Sequence, residues 1–167
     1  MELWDAYHGD GTLAGRDLVW GEPIPEGFFH LVSEVTVRHR DGDFLVMQRA
    51  LTKLIAPGTY EATAGGSALK GETAQEAAMR ELFEETGIRA ETLSSLYRIV
   101  DAETKSIYCG YGCRIDHAKD DIVLQEGETE AYLWLGEDAF LELLRSKKYA
   151  PSHKRRLLAN LDKVLLI

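Results

Sequence analysis

Three glutamates lie close together near the middle of the chain, in the segment GGSALKGETAQEAAMRELFEETGI that runs from residue 65 to residue 88. In an α-helix, which turns by about 100° per residue, Glu81, Glu84 and Glu85 share an arc of about 100°. Carboxylates at this spacing repel one another unless a cation lies between them, and Mg²⁺ prefers oxygen ligands. Two interpretations follow from the spacing: a divalent-metal site, or a surface helix whose acids face water.

The residues around the glutamates indicate how that helix is positioned. Thr73 and Glu76 have the spacing of a capping box, and Gly87 is the usual left-handed terminator, so we predict a helix between them. Met79 and Leu82 are expected to face a core. Gly65 and Gly66 precede the helix, and glycines let the backbone approach a ligand closely.

The elements expected to position this helix are mostly strands. Residues 3–20 predict a β-hairpin with its turn at 9–11, and residues 28–50 predict a second hairpin around Asp41-Gly42. In the second hairpin, the first strand is expected to have one face more exposed than the other. The segment YEATAGG is expected to be one short strand. Further strands are predicted over Leu93–Val100 and Ile107–Ile115 and before Trp134, and helices over Glu137–Ser146 and Ser152–Val164. This order predicts a mixed α/β sandwich rather than an alternating βαβ fold.

Composition narrows the class of protein. The 167 residues are 45% apolar and 28% charged, which predicts one globular domain over residues 1–167. The net charge of −9 argues against a nonspecific nucleic-acid binder. We see no bilayer-length apolar run and no signal peptide, so we expect a cytoplasmic protein without a membrane partner. Cys109 and Cys113 are expected to be unbridged core thiols.

The segment resembles a known family motif. Gly66, Glu72 and the run Arg80-Glu81-Leu82-Phe83-Glu84-Glu85-Thr86-Gly87-Ile88 fit the 23-residue Nudix box at every defined position. The resemblance implies an α/β/α sandwich with a mixed β-sheet. It implies Mg²⁺ or Mn²⁺ as cofactor, held by Glu81, Glu84, Glu85 and the carbonyl of Gly65 or Gly66. It also implies that Glu72 and Arg80 brace the loop against the helix.

The flanking sequence resembles the isopentenyl-diphosphate isomerase-like branch of that family. The residues that carry this likeness are Gly27 and His30, Gln48-Arg49, Lys53 and Pro57-Gly58. The branch uses an Arg and a Lys to hold a diphosphate, which makes Arg49 and Lys53 the candidate substrate-binding residues. True isomerases need a cysteine in the segment matching residues 61–66, and none is present there. His30 is interpreted either as a relic of the isomerase metal site or, preferably, as a buried strand histidine.

These observations predict metal-dependent hydrolysis of the diphosphate bond in a nucleoside diphosphate linked to another group. The general base is expected to be Glu81, Glu85 or an acid before the last strand, where Glu128 is preferred over Glu126 and Glu130. Selectivity is expected from the N-terminal hairpin and the loops at 50–59 and 117–128. The alternatives are a prenyl-diphosphate isomerase and a noncatalytic nucleotide-binding module. A homodimer is possible through the N-terminal hairpin or an apolar C-terminal stripe.

Overall fold

A mixed seven-stranded sheet forms the middle of the protein, and helices cover both of its faces. The computed structural model describes residues 1–167. Its strands are β1 Leu3–Tyr7, β2 Leu13–Val19, β3 His30–His39, β4 Phe44–Arg49, β5 Tyr60–Glu61, β6 Ala64–Ser67, β7 Ser94–Asp101, β8 Ser106–Ile115 and β9 Thr129–Leu135. Its helices are α1 Ala74–Thr86, α2 Glu137–Arg145, α3 Pro151–Ala159 and α4 Leu161–Val164.

Strand β3 is the centre of the sheet. It pairs in parallel with β8 from His30↔Ser106 to His39↔Ile115, and β7 then pairs antiparallel with β8. On its other side, β3 pairs with β4 only at Arg38↔Phe44, next to the hairpin turn. Strand β6 pairs with the first half of β3 instead. This arrangement places the glycines of β6 beside the central strand. Strands β5 and β9 pair with β4.

Alternating side chains of β4 build two cores. Leu45 and Met47 join the core beneath α1, whereas Phe44 and Val46 join the core beneath α2, α3 and α4. Because successive side chains of a strand point to opposite faces, a run of four buried residues requires cover on both sides. The predicted α/β/α sandwich with a mixed sheet is confirmed.

Three local predictions were wrong. Strand β3 is buried on both faces rather than on one, because helices cover the whole centre of the sheet. The segment YEATAGG forms two short strands, β5 and β6, which pair with different neighbours. The C-terminal helix is broken at Asn160, whose φ of −128° lies outside the helical range.

The N-terminal hairpin is an antiparallel pair outside the main sheet, with its turn where the sequence predicts it. Its small core contains Trp4, Ala6 and Leu18, and the Trp4 ring stacks on His30 at 4.3 Å. At the other end of the chain, Leu157 and Val164 are fully buried against the sheet. None of the helices combines the length and apolar character that crossing a bilayer would require.

Candidate active site

Helix α1 is fixed at both ends by the residues that predicted it. The Thr73 hydroxyl accepts from the Glu76 amide, and the Glu76 carboxylate accepts from the Thr73 amide. Gly87 adopts φ 74° and donates its amide to the Phe83 carbonyl at 2.8 Å. These caps satisfy backbone groups that a helix otherwise leaves unpaired, and they set the rotation of its glutamates.

The acids of α1 do not all face away from the core. The buried residues of the helix are Ala77, Ala78, Leu82, Glu85 and Thr86, whereas Met79 is only partly buried. The predicted core position of Leu82 is therefore confirmed and that of Met79 is not. The acidic arc overlaps the buried arc because the helix meets the sheet along its small alanines, and Glu85 is left only 8% exposed.

Strand β6 brings two glycines against this face so closely that a side chain at either position would meet a neighbouring atom. A Cβ on Gly65 would lie 2.1 Å from the Ser33 carbonyl oxygen on β3. A Cβ on Gly66 would lie 2.5 Å from the Oε1 atom of Glu81. At Gly65 the bare backbone is therefore a steric requirement of the packing, whereas at Gly66 a side chain would have to displace the Glu81 carboxylate. The peptide groups of 65–66 lie next to the glutamates.

Arg80 connects the glutamates to the preceding loop. Its Nε and Nη2 atoms donate to the two carboxylate oxygens of Glu72, at 2.8 and 2.9 Å, and Nη2 also donates to the Ser67 carbonyl at 3.1 Å. Glu72 in turn accepts from the Leu69 amide at 2.8 Å. The two residues thus tie the 67–72 loop to the helix. The bidentate geometry is the strong form of this ion pair.

The remaining Arg80 nitrogen contacts two of the three acids. Nη1 donates to Glu81 at 2.7 Å and to Glu84 at 3.1 Å. In this arrangement the carboxylates do not converge on one point as a ready-made metal-binding group. The guanidinium neutralises part of their charge, in the place where the sequence predicts a divalent cation.

Glu81 and Glu85 carry unfavourable negative charge despite Arg80. Burial raises the pKa of Glu85 well above its ordinary value, and nearby Glu81, Glu61 and Glu128 raise it further. Burial also raises the pKa of Glu81, and this effect outweighs the opposing effect of Arg80. The direction agrees with the repulsion expected of carboxylates at this spacing when no cation lies between them. Two carboxylates with raised proton affinity, the neighbouring Glu84 and a bare peptide backbone suit a hard divalent cation.

These residues line one polar pocket of about 360 Å³. It contains Gly65, Gly66, Ser67, Arg80, Glu81, Glu84 and Glu85, together with Lys53 and Glu128. Of the candidate acids Glu126, Glu128 and Glu130, only Glu128 lines this pocket, and Glu130 lies within β9. Glu130 instead accepts from the Leu51 amide at 3.0 Å.

The two candidate phosphate-binding cations are both paired with acids. The Lys53 ammonium donates to the Glu128 carboxylate at the pocket edge. The Arg49 guanidinium donates to Glu61 at 2.6 Å and to the Ile55 carbonyl at 3.2 Å. Arg49 lines a neighbouring pocket rather than the glutamate pocket. The structure therefore brings Lys53 to the glutamates directly, and Arg49 only to the adjoining space.

The residues expected of an isomerase are differently placed. Ala62, Thr63 and Ala64 are buried in the segment where isomerases carry cysteine. Cys109 and Cys113 are buried, unbridged thiols of β8, as predicted. His30 is a buried strand residue whose ring nitrogens lie 2.9 Å from the Ser106 hydroxyl and 3.2 Å from the Ser67 hydroxyl. Both nitrogens are thus engaged by protein groups, which favours the structural interpretation.

Sequence reasoning missed several residues of the site. Glu2 and Trp20 reach the glutamate pocket from the N-terminal hairpin, and Gln125 reaches it from the loop before β9. The hairpin and this loop were expected to contribute, but no spacing signal identified the individual residues. Glu61, which pairs with Arg49, was also missed because it resembles any strand-end acid.

The protein is similar to known proteins over most of its length. A model described as the NUDIX domain matches residues 29–161. An uncharacterized Nudix hydrolase of Listeria monocytogenes, lmo0368, is 41% identical over 88 residues, which are 53% of this chain and 52% of that protein. The match thus spans about half the length of this relative. An isopentenyl-diphosphate Delta-isomerase of Corynebacterium diphtheriae is 29% identical over 132 residues, covering 72% of this chain and 71% of that protein.

Two solved structures share the fold. The DR0079 protein of Deinococcus radiodurans superposes with a TM-score of 0.74 at 22% identity, covering 93% of this chain and 98% of that one. The NUDIX domain of Shewanella oneidensis NrtR, complexed with ADP ribose, has a TM-score of 0.62 at 15% identity and covers 86% and 94%. At these identities the likeness concerns the fold alone.

Proposed function

Because the chain belongs to the Nudix hydrolase family, we propose that it hydrolyses the diphosphate bond of a nucleoside diphosphate linked to another group, with Mg²⁺ or Mn²⁺ as cofactor. The observation that carries the proposal is the cluster of Glu81, Glu84 and Glu85 in one polar pocket, beside backbone that no side chain obstructs. That the chain acts as one domain and forms a dimer stays a prediction.

In this proposal the three glutamates and the Gly66 carbonyl hold the divalent ion. When bound, the ion would neutralise charge on phosphate oxygens and lower the pKa of a coordinated water. Arg80 keeps its bidentate contact with Glu72, which holds the 67–72 loop in place. To hold the ion, Glu81 and Glu84 would have to give up their contacts with the Nη1 atom of Arg80.

Lys53 and Arg49 are proposed to bind the diphosphate. Both already have carboxylate partners, so an incoming phosphate competes with those acids for the same donors. When the substrate takes Lys53, Glu128 is left without its cation in a pocket that also contains Glu85. Glu128 is thus a candidate general base alongside Glu81 and Glu85.

The test follows phosphate or nucleotide release over a panel of nucleoside diphosphate derivatives with Mg²⁺ or Mn²⁺. Glu84→Gln and Glu85→Gln are expected to lose at least a hundredfold in turnover, and Glu91→Gln, an exposed acid outside the pocket, should keep it. A Glu128→Gln variant separates the base candidates. If no panel member is hydrolysed while nucleotides bind equally to native protein and both variants, the protein is a noncatalytic binding module.

One observation favours a second candidate, isomerisation of a prenyl diphosphate. It is the similarity to the Corynebacterium diphtheriae isomerase, which extends over 72% of the chain. Against it stands the lack of a cysteine at residues 61–66. Incubation with isopentenyl diphosphate decides the matter: appearance of dimethylallyl diphosphate supports the isomerase, and its absence removes that alternative.

A further inference from the structure

A second pocket, of about 170 Å³, adjoins the glutamate pocket. Gly65 lines both, so the two spaces meet at the bare backbone of β6. The second pocket has a mixed lining: Glu34, Glu61, His153 and Arg156 supply most of its polar groups, and Val32, Ile55, Ala56 and Ala150 supply apolar ones. A ligand whose phosphates lie over the α1 glutamates can therefore extend past Gly65 into this space.

The charged groups of the second pocket balance one another. The Arg156 guanidinium forms a two-pronged pair with the buried Glu34 carboxylate, which also accepts from the Tyr97 hydroxyl at 2.8 Å. Arg49 pairs with Glu61 at 2.6 Å. Two carboxylates thus face two guanidiniums. Beyond a phosphate that takes Arg49 from Glu61, a ligand group that enters here is expected to be polar and without negative charge, because Glu34 and Glu61 already supply two carboxylates.

One polar atom in this region lacks a partner. His153 is only 2% exposed, and its Nδ1 atom lies 3.0 Å from the Tyr149 hydroxyl. Its Nε2 atom is buried and makes no hydrogen bond. Most buried polar groups in proteins are hydrogen-bonded, so an orphaned one calls for an explanation. His153 also belongs to the first turn of α3, which has no side-chain cap, so that amides of this turn lack intrahelical partners.

The size of the pocket limits its occupant. Pockets for drug-sized ligands measure roughly 300–1,000 Å³, and one water occupies about 30 Å³ of liquid. The second pocket therefore holds one small ring with its substituents, and a nucleoside is too large. Its occupant is also joined directly to the diphosphate, since the pockets touch at Gly65.

We propose that this pocket binds a neutral sugar ring attached to the diphosphate, which makes nucleoside diphosphate sugars the substrate class. The inference rests on the proposed hydrolase function and specifies its substrate. Each sugar hydroxyl both donates and accepts a hydrogen bond, which suits a lining of carboxylates, guanidiniums and a neutral imidazole. An isoprenoid group would leave the Nε2 atom of His153 without a partner, and a base would be separated from the diphosphate by its ribose.

Calorimetry with the full-length protein and Ca²⁺ in place of Mg²⁺ tests the proposal. The ligands are three matched pairs: UDP-glucose and UDP, GDP-mannose and GDP, and ADP-ribose and ADP. The free nucleotide carries more negative charge than its sugar-bearing partner, so the two Kd values of a pair differ for that reason alone. The informative quantity is therefore the change that a variant causes in the ratio of these two Kd values. The variants are His153→Leu and the near-isosteric Thr63→Val, which also alters this pocket's lining. His8→Leu, at an exposed histidine of the hairpin, is the matched control.

In at least one pair, both pocket variants should weaken binding of the sugar-bearing ligand at least fivefold and leave the free nucleotide within twofold. UDP-glucuronic acid should bind at least tenfold more weakly than UDP-glucose, because it adds a charge. The proposal is overturned if folded variants change both members of every pair equally, if they change neither, or if no sugar-bearing ligand binds. Hydrolysis with Mg²⁺ is measured separately, so a changed ratio without turnover refutes the hydrolase and retains the sugar pocket.

Discussion

Removal of Arg156 tests how much the fold depends on the buried charge pair beneath the second pocket. Arg156 and Glu34 are 8% and 6% exposed. In Arg156→Met the Glu34 carboxylate remains buried with only the Tyr97 hydroxyl to accept from. Breaking a buried pair from one side costs about 3–5 kcal/mol, a large part of the roughly 5–15 kcal/mol that stabilises a typical domain. For a chain of this size that loss corresponds to a fall in Tm of roughly 6–20 °C.

The pH dependence of the stability lost in Arg156→Met shows whether the unpaired Glu34 carboxylate causes that loss. Burial alone would raise the pKa of Glu34, but the surrounding His153, Arg156 and Tyr97 hold it below its ordinary value of 4.5. In the native protein the pair thus contributes stability above about pH 4.5, and this contribution falls as Glu34 is protonated. In the variant the pKa of Glu34 rises because its Arg156 partner is gone, so the acid becomes neutral at a higher pH than in the native protein. The difference in stability between native protein and variant should therefore shrink as the pH falls from 7 to 4.5.

Urea unfolding at both pH values measures these quantities. Adding Glu34→Gln to Arg156→Met removes the stranded charge and should recover at least about 1.5 kcal/mol at pH 7. Arg155→Met changes an exposed neighbour and should stay within about 0.5 kcal/mol of native. A loss under about 1 kcal/mol for Arg156→Met, a loss that does not vary with pH, or a double variant no better than the single would refute the reasoning.

Three further predictions concern other parts of the structure. Gly66→Ala should lower hydrolysis at least tenfold but shift Tm by only a few degrees, since the new Cβ meets a movable carboxylate 2.5 Å away; unchanged turnover would contradict this. Gly87→Ala should cost about 1–2 kcal/mol in urea unfolding because its φ is 74° and the new Cβ would lie 3.2 Å from the Cβ of Val123. Gly15 has a similar φ of 67° and open space around it, so a cost at Gly87 below that of Gly15→Ala would count against the prediction. Burial lowers the pKa of His30 to about 4, so on acidification the histidine takes up a proton in the unfolded chain before it does so in the folded protein. Between pH 7.5 and pH 5 the native protein should therefore lose about 2 kcal/mol more stability than His30→Gln does. Equal losses in the two proteins would rule this out.

The features that the sequence predicts well are those encoded by neighbouring residues. Thr73, Glu76 and Gly87 determine where α1 begins and ends through contacts spanning three or four positions. The hairpin turns follow from short glycine-containing segments in the same way. The pairing of Arg80 with Glu72 was expected only because a family motif supplied it.

The missed features depend on residues that are distant in the chain. Glu34 and Arg156 are 122 positions apart, and nothing near either residue indicates its partner. Lys53 and Glu128 are 75 positions apart and were predicted separately, in unrelated roles. The burial of both faces of β3 arises from helices that lie on opposite sides of the sheet, which periodicity within one strand does not encode.

The parallel pairing of β3 with β8 also affects how the chain can fold. Every residue of β3 pairs with a partner 76 positions later, from His30↔Ser106 to His39↔Ile115. Contacts of such long separation slow folding, because the entropy of closing the loop is lost before the contacts form. During synthesis the central strand has no parallel neighbour until residue 115 has left the ribosome. Until then β3 and β4 offer an unpaired apolar edge, the kind of surface that chaperones bind.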